Sequence, residues 1–263
     1  MKKILQSWLA LFFILQCAYS HAQIAESVVD IPTRTGVSQR MLVLTPPMPK
    51  AAVILFTGGN GSVQIFPNES FRSGKMNFLI RNRVEFANRD LLVVVVDAPT
   101  DRQNPPYLAG FRQTQEHVTD IQAVIAWIRG DAKVPVWLIG TSRGTQSAAF
   151  IATQLNNPDG PDGLVLTSTI VTDDAGTAVP AMQLENIHIP VLVVHHEQDG
   201  CKHCAFQGAS AMMTKFSAAP RKQLLTFIGG SSSGNPCEPQ SYHGFNGLDA
   251  DVVGKIADWI FAK

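Results

Sequence analysis

The chain has 263 residues, 45% of them hydrophobic, and its 21 basic side chains balance its 21 acidic ones. A neutral chain without a charge run offers no surface for a polyanion or a charged membrane, so we expect neither a nucleic-acid nor a membrane partner. Length and apolar content suffice for one sizeable core, and no repeat or long linker divides the sequence. The composition therefore predicts a single domain.

The first 22 residues have the order of a secretory signal peptide. Two lysines precede a mostly apolar run from Ile4 to Leu15, and a short small-residue segment ends at Ala22. We predict cleavage before Gln23 and release of a mature chain, residues 23–263, into the periplasm or the medium. The apolar run is too short to span a bilayer comfortably. A lipid on Cys17 is the less favoured alternative, because Gln16 is a poor small residue before a lipidated cysteine.

Two alternating segments, 26–31 and 39–45, predict an antiparallel pair of strands. From residue 51 onward, short apolar runs typical of strands buried on both faces alternate with helical patterns. This alternation predicts right-handed crossovers and a mostly parallel, doubly wound α/β sheet with ligands at the carboxyl ends of its strands. The predicted strands are 51–56, 91–96, 134–139, 163–166, 191–194 and 223–227, and the predicted helices are 77–87, 114–129, 145–155, 206–216 and 250–261.

The segment Gly140-Thr141-Ser142-Arg143-Gly144 lies between the predicted strand 134–139 and the helical run 145–155. A G-x-S-x-G pentapeptide in this setting holds its serine in strained backbone geometry, with Oγ above the sheet edge. Glycines at both ends leave room for the helix to pass the strand. We therefore expect Ser142 to be a nucleophile. The alternative is a glycine-rich connection with an incidental serine.

A serine hydroxyl attacks a carbonyl at neutral pH only when an imidazole takes its proton and a carboxylate fixes the tautomer of that imidazole. The chain offers one good candidate for each role. Asp199 lies five residues beyond the predicted strand 191–194, and His243 lies in the loop between the last strand and the final helix. The chain order is therefore Ser142, Asp199, His243, and each residue follows a predicted strand.

This order, with the serine at a strand–turn–helix elbow, resembles the α/β-hydrolase family over nearly the whole mature chain. The resemblance implies an α/β-hydrolase fold and a serine hydrolase, usually acting on carboxylic esters, without a cofactor or a metal. It implies Ser142 as nucleophile, Asp199 as orienting acid, and His243 as general base and acid. Glu197 is a competing acid, but the family places its acid farther from the strand, before a turn of the kind that Gly200 supplies.

The resemblance also implies where the oxyanion of a tetrahedral intermediate binds. One N–H donor is the residue after the nucleophile, Arg143, and the other comes from the loop after the strand 51–56. That loop, Thr57-Gly58-Gly59-Asn60-Gly61, is called the oxyanion loop below; it resembles the family's H-G-G element, with threonine in place of the usual histidine. We expect its donor to be the amide of Gly59 or of Asn60. A simple glycine turn is the alternative.

The predicted mature chain has three cysteines: Cys201 and Cys204, close after Asp199, and Cys237, six residues before His243. In an oxidising compartment these positions predict a disulfide between the acid loop and the base loop. We favour Cys201–Cys237 with Cys204 left as a thiol, although Cys204 is an alternative partner. The rival interpretations are a C-x-x-C redox pair and, less favoured still, a zinc site.

Only 24 residues separate the predicted strands 163–166 and 191–194, which leaves no room for a large lid. We expect an open or shallow pocket walled by segments 63–66, 105–107 and 170–179. His195 and His196 are interpreted as packing and hydrogen-bonding residues rather than metal ligands.

The predicted function is hydrolysis of a small-molecule ester through an acyl-enzyme. The alternatives are a serine peptidase or a lactone hydrolase on the same triad, and a non-catalytic or redox periplasmic protein that keeps the fold. The sequence does not indicate the acyl chain length or the oligomeric state.

Overall fold

The structure is a computed structural model that describes residues 23–262, so the predicted signal peptide lies outside the described residues. Its centre is an eight-stranded sheet. The strands are β1 Ala25–Arg34, β2 Val37–Thr45, β3 Ala51–Phe56, β4 Leu91–Val96, β5 Val136–Thr141, β6 Gly163–Thr167, β7 Val191–His196 and β8 Lys222–Phe227.

The strand order across the sheet is β1-β2-β4-β3-β5-β6-β7-β8. β2 pairs antiparallel with both β1 and β4, and the six strands from β3 to β8 pair in parallel. The mostly parallel sheet and the antiparallel pair at one edge are therefore confirmed. β5 begins and ends two residues later than predicted, so that it leads directly into Ser142.

Helices cover both faces of the sheet. They are α1 Phe78–Arg81, α2 Arg83–Ala87, α3 Gln115–Asp131, α4 Gly144–Gln154, α5 Phe206–Met212 and α6 Asp249–Phe261. Apolar side chains of α3, α4 and α5 pack on one face, and those of α1, α2 and α6 pack on the other. Because β3 to β7 are buried on both faces, their sequences are continuous apolar runs rather than alternating ones.

The single helix predicted over 77–87 is two short helices that meet at Asn82. The Asn82 side chain donates to Phe78 O at 2.9 Å and to a carboxylate oxygen of Asp249 on α6. Between β6 and β7 the structure has two single 3₁₀ turns, Val179–Ala181 and Leu184–Asn186, and no lid helix. No helix within residues 23–262 is long and apolar enough to cross a membrane.

Candidate active site

Ser142 lies on the two-residue turn between the end of β5 and the start of α4. Its φ of 52° is in the left-handed region, which an L-residue rarely adopts. A Cβ added to Gly144 would lie 2.0 Å from Phe56 O, and one added to Gly140 would lie 2.5 Å from Gly144 O. The turn therefore requires glycine on both sides of a strained serine, as the pentapeptide predicts.

Asp199 and His243 meet beyond the carboxyl end of β7. His243 Nδ1 lies 2.9 Å from Asp199 Oδ2, and Asp199 Oδ1 accepts a hydrogen bond from Cys201 N at 2.9 Å. The His243 side chain is 5% exposed, and the Asp199 side chain is fully buried. Glu197, the competing acid, is exposed, and its carboxylate makes no hydrogen bond to another described residue. The geometry thus pairs His243 with Asp199 and leaves its Nε2 for a proton of the serine.

The loop that carries His243 is anchored through its backbone. Ser168, just after β6, donates from Oγ to His243 O at 2.6 Å, and Ser241 Oγ accepts from His243 N at 3.2 Å. A Cβ added to Gly244 would lie 2.0 Å from Pro239 O, so the chain can pass there only as glycine. These contacts fix the imidazole at the same edge of the sheet as Ser142.

Ser142 and His243 line one cavity of about 810 Å³. Within the described residues no hydrogen bond joins Ser142 Oγ to His243; such bonds are often long before substrate binds. The other walls come from segments 57–63, 72–78 and 233–240. Of the predicted walls only Val63 contributes, and segments 105–107 and 170–179 line no part of this cavity, because the loops after β3 and β8 fold over the serine instead.

The oxyanion loop lies beside Ser142. A Cβ added to Gly58 would lie 3.0 Å from Ser142 Cβ and 3.5 Å from its Oγ, so the backbone approaches the serine closely. The amides of Gly58, Gly59, Asn60 and Arg143 donate no hydrogen bond to another residue within 23–262. Both segments named in the sequence analysis as oxyanion donors therefore carry unused N–H groups near Ser142.

Asp97, which the sequence analysis did not single out, holds the segment that follows the oxyanion loop. This buried carboxylate directly follows β4 and accepts from Ser62 Oγ, from the amides of Val63 and Gln64, and from Ile65 N at 2.8 Å. An acidic residue directly after a buried parallel strand was the signal that could have identified it, since such positions face the ligand-binding edge.

His195 and His196 are fully buried at the end of β7 and act in packing and hydrogen bonding, as interpreted from the sequence. His195 Nε2 accepts from Thr169 N at 3.1 Å, and burial lowers the pKa of His195. His196 stacks on Tyr242 with ring centroids 4.4 Å apart and donates to Gly229 O at 3.0 Å. Both rings thereby support the loops around Asp199 and His243.

The predicted disulfide between Cys201 and Cys237 is present, with their Cα atoms 4.5 Å apart, and Cys204 is a buried free thiol. Burial raises the pKa of this thiol. Ligand atoms of Cys201, Cys204 and His243 lie within 4.8 Å of one another. With the disulfide intact and His243 bonded to Asp199, this cluster does not offer a free set of metal ligands, and the C-x-x-C pair is not closed on itself.

No protein-family model matches the sequence, and no curated protein matches it. Solved structures do match. An esterase from Pyrococcus furiosus is 12% identical, with a TM-score of 0.63 over 90% of this chain and 92% of the other. A dienelactone hydrolase from Anabaena variabilis is 15% identical, with a TM-score of 0.61 over 90% and 97%, and an alpha-beta serine hydrolase homologue from Coxiella burnetii is 15% identical, with a TM-score of 0.59 over 89% and 97%.

These likenesses, together with the strand order and the turn at Ser142, show that the chain has the α/β-hydrolase fold. At these identities the likeness concerns the fold alone.

Proposed function

We propose that the protein is a serine hydrolase that cleaves carboxylic esters of small molecules through an acyl-enzyme. The observation that carries the proposal is that Ser142, whose backbone is left-handed, and His243, which is hydrogen-bonded to Asp199, line one cavity. The unused amides beside the serine add a place for negative charge. The esterases and the dienelactone hydrolase among the similar structures support ester chemistry for this fold.

In this mechanism His243 Nε2 takes the proton of Ser142 Oγ while the oxygen attacks the carbonyl carbon of the ester. Asp199 holds the Nδ1–H and stabilises the imidazolium. The carbonyl oxygen becomes an oxyanion held by the Arg143 amide and by the amide of Gly59 or Asn60. The imidazolium then protonates the leaving oxygen, and the alcohol departs from the acyl-enzyme. A water molecule activated by His243 hydrolyses the acyl-enzyme, which releases the carboxylic acid and restores the Ser142 hydroxyl.

The cavity supports a small-molecule substrate. About 810 Å³ is within the range of small-molecule pockets. Its walls mix apolar groups, such as Met76, Phe78 and Pro239, with polar ones, such as Asn77 and Gln240. A lactone is a cyclic ester and is attacked at its carbonyl carbon in the same way, whereas an amide has a poorer leaving group. Comparing kcat/KM for a panel of esters, lactones and anilides therefore ranks the three substrate classes.

Ser142→Ala tests the proposal. We expect it to lower kcat for short-chain aryl esters by at least about 10³-fold, because the nucleophile is lost. Labelling by a fluorophosphonate probe should map to Ser142 and disappear in the variant. Ser210→Ala, an exposed serine on α5, is the matched control. Near-native activity in Ser142→Ala would show that the triad is misassigned, and unlabelled wild-type protein would favour the non-catalytic alternative.

We also propose that the protein works in the periplasm or outside the cell. The Cys201–Cys237 disulfide supports this location, because such bonds persist in oxidising compartments and are rare in the cytosol. The signal-peptide pattern before Gln23 supports it independently. Fractionation with N-terminal sequencing tests both: a mature chain that begins at Gln23 is the expected result, and intact protein in the cytosol contradicts it.

A further inference from the structure

Arg112 lies behind the oxyanion loop. It is 5% exposed, and no carboxylate within the described chain lies within 4.0 Å of it. Its Nη2 donates to Thr57 O at 3.0 Å and to Gly59 O at 3.2 Å, and its Nη1 donates to Ser147 Oγ at 3.0 Å. Ser147 lies on α4, the helix that follows the nucleophile. One guanidinium therefore ties the oxyanion loop to the element that carries Ser142.

The remaining carbonyls of the loop are also occupied from the protein side. Gly58 O accepts from Gly61 N at 3.2 Å, and Asn60 O accepts from Leu108 N at 3.1 Å. All four carbonyls from Thr57 to Asn60 thus accept hydrogen bonds, while the amides of Gly58, Gly59 and Asn60 donate none within the described residues.

The direction of these amides follows from peptide geometry. Both peptide bonds whose carbonyls Arg112 holds are trans, because the cis bonds of the described chain are at Pro106 and Pro158. In a trans peptide the N–H points opposite to the C=O. Holding Thr57 O and Gly59 O therefore turns the N–H groups of Gly58 and Asn60 away from the guanidinium.

The cost of this arrangement argues for a role in the reaction. Burying a cation without a carboxylate is expensive, and a neutral donor would satisfy a merely structural need more cheaply. Burial and the neighbouring charge of Arg143 lower the pKa of Arg112 to about 9. Asp173 pairs with Arg143 at 2.8 Å, whereas no carboxylate among residues 23–262 forms an ion pair with Arg112. Gly61 makes room for it, since an added Cβ there would lie 2.6 Å from Nη2.

We propose that Arg112 is a positioning residue that fixes the oxyanion loop before the reaction begins and strengthens its N–H donors. A cation bonded to the carbonyl end of a peptide group polarises the N–H at the other end, in the direction that an oxyanion requires. This inference rests on the proposed serine-hydrolase function. It concerns the transition state, because the charge on the substrate oxygen develops only there.

Two variants test it. Arg112→Lys keeps the charge but holds fewer carbonyls, and Arg112→Gln keeps a donor without the charge. Both should lower kcat for an aryl ester by about 10-fold or more, less than the 10²–10³-fold cost of deleting an oxyanion donor, with KM nearly unchanged. The affinity for a trifluoromethyl ketone, whose adduct with the serine carries the oxyanion, should fall by the same factor as kcat/KM.

Arg129→Gln is the matched control, because Arg129 also donates to two loop carbonyls, Pro158 O and Gly160 O, but near the start of β5. Thermal unfolding shows which variants fold, and if Arg112→Gln does not fold, Arg112→Lys decides. A folded Arg112 variant with unchanged kcat and ketone affinity overturns the inference. Failure of the serine-hydrolase proposal itself gives a different result, because the wild-type protein would then neither hydrolyse esters nor react with a fluorophosphonate.

Discussion

An acid orients a catalytic imidazole only if its carboxylate reaches Nδ1, and Asp199 does so at 2.9 Å. Asp199→Asn should therefore lower kcat strongly, but by about 10–10²-fold less than Ser142→Ala does, because it removes the charge that favours the imidazolium and the tautomer with Nδ1–H. His243→Ala should cost as much as Ser142→Ala, since the triad acts as a unit. Initial rates at saturating aryl ester measure all three.

The matched control is Glu197→Gln, two residues away and exposed. We expect a change in kcat of less than about twofold, as for a surface substitution that removes no contact. The reverse pattern, with a severe glutamate change and a mild aspartate change, would mean that Glu197 is the acid.

Gly58 controls how closely the backbone of the oxyanion loop approaches Ser142. In Gly58→Ala the new methyl would lie 3.0 Å from Ser142 Cβ and 3.3 Å from Thr141 O, so the loop or the serine has to move. Since a displacement of 1 Å can cost about 10²-fold in rate, we expect kcat/KM to fall at least about 10-fold. Gly130→Ala is the control, because an added Cβ there meets nothing within 4 Å. Equal kinetics for the two variants would contradict a close approach at Gly58.

At the residue scale the sequence was enough to predict that Ser142, Asp199 and His243 lie at the same edge of the sheet, because each is marked by its distance from an apolar strand or by a glycine turn. Arg112 carries no such mark. Its partner carbonyls are 53 and 55 residues away in sequence, so its role exists only once the loop after β3 and the segment before α3 have packed together. Local patterns predict residues on strand ends and do not predict the side chains that reach across from elsewhere.

At the scale of elements, periodicity predicted the strands and helices but not every boundary. The helix predicted over 77–87 breaks at Asn82 because that side chain bonds Asp249, which is 167 residues away on α6. The cavity walls were predicted wrongly for a similar reason. Segments 72–77 and 233–240 have the polar sequences of ordinary surface loops. Their position over Ser142 results from tertiary packing, which local sequence patterns do not predict.

α3 contains a buried histidine that should make stability depend on pH. His117 is 1% exposed, lies against the rings of Phe56 and Phe111, and has no partner for either ring nitrogen among the described residues. Burial, with the charges of Arg112 and Arg34, lowers its pKa to about 3. Below the unfolded value of about 6.5 the unfolded chain binds the proton and the folded chain does not. The contribution of His117 to the free energy of unfolding is therefore fully present above about pH 6.5 and is lost progressively as the pH falls toward 3.

The slope from this group alone is at most about 1.4 kcal/mol per pH unit. Urea unfolding at pH 7 and pH 5 should therefore show a smaller loss of stability for His117→Leu than for the wild type, whatever the variant's stability at pH 7. An identical loss in both proteins would show that other groups, such as the buried His195, account for the acid sensitivity.

At the scale of the whole molecule, the disulfide joins the loop after β7, which carries Asp199, to the loop after β8, which carries His243. Cys201 lies two residues after Asp199, and Cys237 lies six residues before His243, at a sequence separation of 36. The pairing was predictable because a hydrogen bond between Asp199 and His243 brings their neighbours together. Which of the two nearby cysteines takes part depends on the local turn, in which Cys201 N donates to Asp199 Oδ1 and Cys204 is buried.

Removing the bond with Cys237→Ser should lower the free energy of unfolding by about 2–4 kcal/mol, because the unfolded chain regains the entropy of an open loop. It should also lower kcat, since acid and base are then free to move apart. Cys204→Ala is the control and should keep both the disulfide and the activity. Denaturant unfolding, with and without a dithiol, combined with non-reducing peptide mapping, tests these outcomes. Recovery of a Cys201–Cys204 bond with free Cys237 from native protein would overturn the tether and favour the redox interpretation of the C-x-x-C pair.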